Sequence, residues 1–284
     1  MEKRSNNRRQ DAPPKSGSLK KTLLGIATIF SVMIVGVGCG FLTASINTKP
    51  KLADDIRPPA SSQIYDINGN SIANVHAAEN RVPVSLNKIP KNLQNAFVAV
   101  EDARFYEHSG IDPRGILRAV WSNISDRGVS EGGSTITQQL AKNAYLTQER
   151  TLKRKIQEMF LALQLERQYT KQEILELYLN QIYFGQGAYG VQAAAQTYFG
   201  KNVEDLDLSE CAMLAGIPKS PNYYSPLNNL AAANERKAVV LDQMEKYEYI
   251  NASTASKTKQ EALKLVKKTS KGESSFAAYF IDYV

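Results

Sequence analysis

Residues 23–46 pass without a single charge, and that run decides where the rest of the chain can lie. As a helix, a stretch of this length spans a bilayer with some tilt. A cleaved signal peptide has a shorter apolar region, and the small residues at 43–45 make a poor cleavage site, so an uncleaved anchor is expected. Seven Lys and Arg residues precede the run and none falls inside it. That asymmetry places residues 1–22 in the cytoplasm and everything after residue 46 on the outer face. Gly36 and Gly40 have GxxxG spacing, but glycine is common in membrane helices, so the spacing alone does not indicate helix dimerisation.

The formal charge of the 284 residues is +7. Lys3, Arg4, Arg8, Arg9, Lys15, Lys20 and Lys21 against Glu2 and Asp11 give the first 22 residues +5, which leaves the other 262 nearly neutral at +2. The basic tail reads as a juxtamembrane arm. A nucleic-acid binder would carry its basic stripe on the folded part, so that class is excluded. The two cysteines, Cys39 inside the apolar run and Cys211 in an expected helix, cannot pair with each other. The outer part must therefore be stable without disulfides. With no CxxC, no HExxH and only His76 and His108, a protein zinc site is not expected.

Residues 47–61 are a Pro- and charge-rich stalk, and 62–250 form the expected main domain. QIYD and SIANV flank Asn68-Gly69, a hairpin signature. After Pro90 the pattern is helical to about residue 266. Thr135 with Gln138 and Thr170 with Glu173 have capping-box spacing. The helix at 152–167, apolar nearly all round beyond Glu158, is expected to be the central buried one. Residues 251–271 read as a peripheral Lys-rich helix. The terminal FAAYFIDYV reads as the start of a linker to a further domain, so 251–284 closes the chain as helix and linker.

Site groups crowd into residues 96–166. Phe97, Val100, Glu101, Arg104 and Phe105 share a helical stripe over 91–107, which puts Glu101 inward between two phenylalanines. Such a carboxylate is suited to general acid or base work; the alternative is a structural ion pair with Arg104. Asp102 is either a second acid or a solvated one. Gly132, Gly133, Ser134 and Thr135 open a helix carrying Thr137, Gln138, Gln139, Lys142 and Asn143. The helix start is either an anion site or only a cap. Arg154, Lys155 and Glu158 fall within one turn. On an exposed helix they would be an ordinary i,i+4 pair, while on an apolar one they fit a polyanionic leaving group. Tyr178, Asn180 and Tyr183 read as packing. The run AYGVQAAAQTYF fits a lipid surface or the core.

EDARFYEHSG, GGSTITQQLAKN, RKIQE, ILELYLNQIYFGQGAYGVQAAAQTYFGK and LSECAMLAGIPKSPNYYSP occur in one order and at one spacing. Together, over about residues 60–245, they resemble the motif blocks of the family 51 peptidoglycan glycosyltransferases. That domain forms the N-terminal half of class A penicillin-binding proteins and also occurs alone. The resemblance implies a mainly α, lysozyme-like domain with a small β-hairpin, preceded by one transmembrane helix. It implies polymerisation of lipid II into β-1,4 glycan strands by inverting transfer, with undecaprenyl pyrophosphate released. Glu101 would be the base, Asp102 its support, and Glu158 an aid at the leaving pyrophosphate. Arg118, Lys142, Arg154 and Lys155 would hold phosphates, with Ser134, Thr135, Gln138 and Asn143 lining the cleft.

No organic cofactor is implied; a requirement for a divalent cation, Mg2+ or Mn2+, stays open. The implied partners are lipid II, the growing strand, the bacterial membrane and cell-wall assembly proteins. Ser18–x–x–Lys21 and Ser256–x–x–Lys259 match a transpeptidase spacing only by count, with no KTG after either. The chain thus reads as the front portion of a two-domain protein. Two other readings are a glycan-cleaving, lysozyme-like enzyme and a non-catalytic cell-wall scaffold.

Overall fold

The computed structural model describes residues 80–118, 133–146, 149 and 151–266, the strand backbones at 62–65 and 71–75, and residues 25, 28, 29, 31–33 and 36. The chain divides into two compact units, Met1–Lys49 and Pro50–Val284. In the first unit the described residues are helical and exposed. Most of the expected anchor at 23–46 lies outside the described residues, and among those described no helix is long and apolar enough to cross a membrane. The stalk, Gly36–x–x–x–Gly40 as a pair and FAAYFIDYV also fall outside them.

The second unit begins with the expected hairpin. Strands β1 (Ser62–Tyr65) and β2 (Ser71–Val75) pair antiparallel, Ile64 opposite Ala73. Strand β3 (Asn80–Arg81) instead pairs in parallel with the distant β4 (Ala188–Tyr189), a two-residue contact no local pattern announces. Asn180 fastens the segment after β3, accepting from the Val84 N–H at 2.9 Å and donating to the Val84 carbonyl at 2.8 Å.

The remainder is helical: α1 (Lys91–Glu101), α2 (Ile136–Tyr145), α3 (Leu152–Gln168), α4 (Lys171–Gln181), α5 (Val191–Phe199), α6 (Leu208–Gly216), α7 (Leu230–Lys246) and α8 (Ala252–Gln260). Both expected capping boxes form, at Thr135 with Gln138 and at Thr170 with Glu173, because each needs only partners three residues apart. Helices α1, α6 and α7 pack on one another, and α2 packs on α3 and α4. Phe97 of α1 meets Tyr178 and Phe184 edge-on at 5.9 and 6.1 Å.

Three expectations are corrected and one open alternative is decided. α1 ends at Glu101, not near 107, since Asp102 leaves the helix at φ −158°. The central helix is α6, buried from Ser209 through Gly216, whereas α3 buries only Glu158, Leu161, Ala162 and Leu165. Helix α3 packs along one face against α2, and the rest of its apolar run is half-buried. Of the two places open to AYGVQAAAQTYF, lipid surface or core, it takes the core, with Ala188, Val191, Ala193, Ala194, Ala195 and Tyr198 buried. The last helix stops at Gln260, because the following segment is drawn along the domain: buried Lys237 donates to the Glu261 carbonyl at 2.9 Å and the Val266 N–H to the Tyr198 carbonyl at 2.9 Å. Cys211 is buried in α6, and burial pushes its thiol far above the ordinary range.

Candidate active site

The end of α1 and the start of α2 are built as one joint. Asp102 is buried and accepts from the N–H of Ile136, the first residue of α2, at 3.0 Å. A helix start offers free N–H groups and a partial positive charge, so the anion expected there is the protein's own carboxylate. His108 completes it. Its Nδ1 accepts from the Gly110 N–H at 3.2 Å, so Nε2 carries the proton and donates to both Asp102 oxygens at 2.9 and 3.0 Å. Thr135 and Gln138 are also buried and close the capping box on each other, and the Thr135 hydroxyl donates to the Gly110 carbonyl at 2.6 Å. Thr135 and Gln138, read from the sequence as lining the cleft, are thus buried in the joint between α1 and α2.

Gly110 has φ +90°, and a Cβ there would stand 2.9 Å from the Ala162 carbonyl oxygen. Gly110→Ala combines left-handed strain with a backbone clash, and urea unfolding should show a loss of about 1–3 kcal/mol. A change within about 0.5 kcal/mol would mean the joint relaxes freely.

Glu101, the last residue of α1, is half-buried. Gln139 of α2 donates to it through Nε2 at 2.7 Å, and the Tyr178 hydroxyl donates to the other end of the same amide at 3.3 Å. Burial keeps the Tyr178 hydroxyl protonated far above its usual range, and Glu101 and Asp102 reinforce that. Two cations from the α6–α7 side share the field of Glu101. Lys219, exposed on the turn after α6, is pushed below its ordinary value by partial desolvation and by Arg236, with Glu101 opposing. Arg236 of α7 is half-buried and is lowered by burial, again with Glu101 opposing.

The alternative ion pair between Glu101 and Arg104 does not form; Arg104 pairs with Asp112. Burial pushes the Asp112 carboxyl up, but Arg104 and the Gly115 N–H outweigh it and hold it below the ordinary 3.8. A depressed carboxyl stabilises the fold above its unfolded-state value, and that contribution is lost as pH falls through the lower folded value. Asp112→Asn should therefore lose less stability than the wild type between about pH 5 and pH 2, as read by Tm against pH. Parallel acid limbs would refute this.

Glu158 is the second carboxylate, 2% exposed on α3. One oxygen accepts from Arg154 Nη1 at 2.7 Å and the other from Lys155, whose ammonium also donates to Ser134 Oγ at 2.8 Å. A continuous set of contacts thus runs from Glu101 to Gln139, along α2 to Ser134, and on to Lys155 and Glu158. Lys142 is half-buried in the last turn of α2 and Asn143 is exposed beside it. Arg118 is exposed in the helical turn at 113–118. Ser134, Lys155, Arg154 and Glu158 are brought together.

Sequence reasoning named Gln139 only among the groups at the helix start and passed over His108, Lys219 and Arg236 as site groups. His108 had a usable signal, since it follows Asp102 by six residues in a Gly-terminated turn. Lys219 and Arg236 had none, because their relation to Glu101 exists only once α6 and α7 pack on α1.

A family model described as transglycosylase matches residues 68–245. Penicillin-binding protein 1F of Bacillus subtilis is 50% identical over 226 residues, covering 79% of this chain and 31% of that protein. Penicillin-binding protein 1A of Aquifex aeolicus is 45% identical over 267 residues, covering 94% and 36%. A crystal structure of penicillin-binding protein 1A from Haemophilus influenzae aligns at 28% identity and TM-score 0.45, covering 79% of this chain and 24% of that one. The chain spans about a third of the length of these curated relatives. With the family model matched over residues 68–245 of one mainly helical unit, the chain carries a peptidoglycan glycosyltransferase domain and belongs to the transglycosylase family.

Proposed function

We propose that this domain polymerises lipid II by inverting transfer. Glu101 takes the proton from the acceptor's 4-hydroxyl, O4 attacks the donor's anomeric carbon, and the bond from that carbon to the pyrophosphate breaks with its electron pair leaving on undecaprenyl pyrophosphate. Arg154 and Lys155, with Lys142 and Arg118, carry the charge that develops on the leaving group. Glu158 holds Arg154 and Lys155 in place, and Asp102 acts as a positioning residue through α2. Ser134 lines the cleft through its contact with Lys155, and Asn143 closes its outer edge. The observation that carries this reading is the half-buried Glu101 carboxylate, aimed by Gln139 and linked through one helix to a carboxylate clasped by two cations.

The donor set at Glu158 does not fit a metal held by the protein, since each of its oxygens is already taken by a cation. The uncharged run at 23–46, preceded by a basic tail, supports a single-pass anchor in the cytoplasmic membrane with the catalytic domain outside, where both lipid-linked substrates lie.

The test is incubation of the full chain with purified lipid II in detergent. Glycan polymer and free undecaprenyl pyrophosphate are expected. Shortening of finished glycan strands without polymerisation would favour the lysozyme-like alternative. A folded protein that does neither would favour the scaffold.

A further inference from the structure

The face that α3 turns towards α2 carries a second carboxylate, which the chemistry above does not use. Lys155, Glu158, Ala162 and Glu166 are spaced three, four and four residues apart, so they line one stripe of the helix. Lys155 and Glu158 belong to the cation clasp, and Lys155 is bonded to Ser134. Ala162 brings its carbonyl against Gly110. Two turns on from Glu158, about 12 Å along the axis, lies Glu166. It accepts from the Thr137 hydroxyl at 2.6 Å and from Lys171 Nζ at 2.7 Å. Lys171, the first residue of α4, also stands over the Phe105 ring, 4.4 Å from its centroid. Thr137 is fully buried and the Glu166 side chain is 8% exposed, so the bond between them acts within the protein and not on a substrate. Replacing a buried ion pair by apolar packing is often neutral or stabilising, so the fold gains little from this one beyond where it holds α3.

We propose that Glu166, held by Thr137 and Lys171, is a positioning residue that sets how far the leaving-group clasp lies from the base. This rests on the glycosyltransferase reading, in which Glu101 and the clasp at Glu158 act at opposite ends of one displacement. Consecutive residues of α2 serve the two halves. The Ile136 N–H holds Asp102, next to the base, and the Thr137 hydroxyl holds Glu166, on the helix of the clasp. Both bonds come from one helical turn, so α1 and α3 are referred to the same rigid point. Without the Thr137 bond, α3 is free to pivot about its contact at Ala162, and a small rotation there carries Arg154 and Lys155 off the departing pyrophosphate. A displacement of about 1 Å can cost about a hundredfold in rate. Lys171 serves the same end from α4, since it neutralises Glu166 and lies on Phe105 in the turn that follows α1.

The experiment follows initial polymerisation rates of the full chain with lipid II varied, at a temperature well below the Tm of each variant. Thr137→Val removes the hydroxyl and keeps the branched shape. It should lower kcat about tenfold and leave KM within about twofold, the pattern of an interaction realised in the transition state. Thr137→Ser restores the hydroxyl and should recover most of the loss. Combination with Lys155→Gln separates placement of the clasp from a general weakening of the fold. If Thr137 works through the clasp, adding Thr137→Val to Lys155→Gln costs less than about twofold; if it only stabilises the domain, the two losses multiply in full. Losses that multiply, a wild-type kcat for Thr137→Val, or a serine variant as slow as the valine one would each overturn the proposal. Should Thr137→Val fold poorly, Glu166→Gln decides the matter. Its amide oxygen can still accept from Thr137, but the counter-charge of Lys171 is lost, so kcat should fall about threefold and the fall should vanish on Lys155→Gln. A wild-type kcat for Glu166→Gln would overturn the proposal as well. A wild-type chain that makes no polymer would overturn the glycosyltransferase reading itself, and this role with it.

Discussion

Glu101→Gln is expected to leave the domain folded and to cut polymer formation from lipid II by about a thousandfold, within the range general base catalysis supplies. The substitution preserves shape. A glutamine at 101 can still accept from Gln139 Nε2 through its own carbonyl oxygen, so the 2.7 Å contact that aims the side chain survives. What is lost is the ability to take a proton, and with it the negative charge that Lys219 and Arg236 face. The measurement is the initial rate at saturating lipid II, with Tm recorded on the same preparation. A loss smaller than about tenfold with Tm unchanged would remove Glu101 from the role of base.

Glu158→Gln is expected to act on both stability and rate. Its carboxylate is 2% exposed and neutralises Arg154 and Lys155 together, so the amide leaves two neighbouring cations without a counter-charge. Removing one partner from a fully buried pair costs about 3–5 kcal/mol; because the side chains of Arg154 and Lys155 are 17% and 37% exposed, roughly 2–3 kcal/mol is the figure expected in urea unfolding at pH 7. The rate should fall at least about a hundredfold, since Lys155 keeps only Ser134 to hold it and Arg154 swings free of its site. Full stability with a lost rate would show instead that Glu158 acts on the substrate directly.

The two carboxylates differ in how far the sequence reveals them. Glu158 and its cations lie on one helix, three and four residues apart, so counting along α3 is enough to assemble them. Glu101 could be singled out by its apolar neighbours, but its partners come from α2, α4 and α6–α7, and no periodicity links those segments. The false continuation of α1 to residue 107 has the same origin. Phe105 does fall on the helical stripe and is buried, yet the chain turns at Asp102 because that carboxylate serves a distant helix. The central helix, α6, is short and mostly apolar, and its one charged residue, Glu210, is buried but answered by Lys201 at 2.7 Å and by the Asp207 cap, so nine residues hold the middle of the core where the longer α3 drew attention by its length.

The bond from Ile136 to Asp102 also bears on how this domain opens. The first turn of an ordinary helix frays at almost no free-energy cost, and its amides exchange with solvent long before the core does. Here the leading amide of α2 can be released only by parting Asp102 from it, which disturbs the His108 contact and the end of α1 as well. Its deuterium uptake should follow global unfolding and not local fraying. While the domain stays folded, the residue next to the base holds the helix that carries the amide aiming that base.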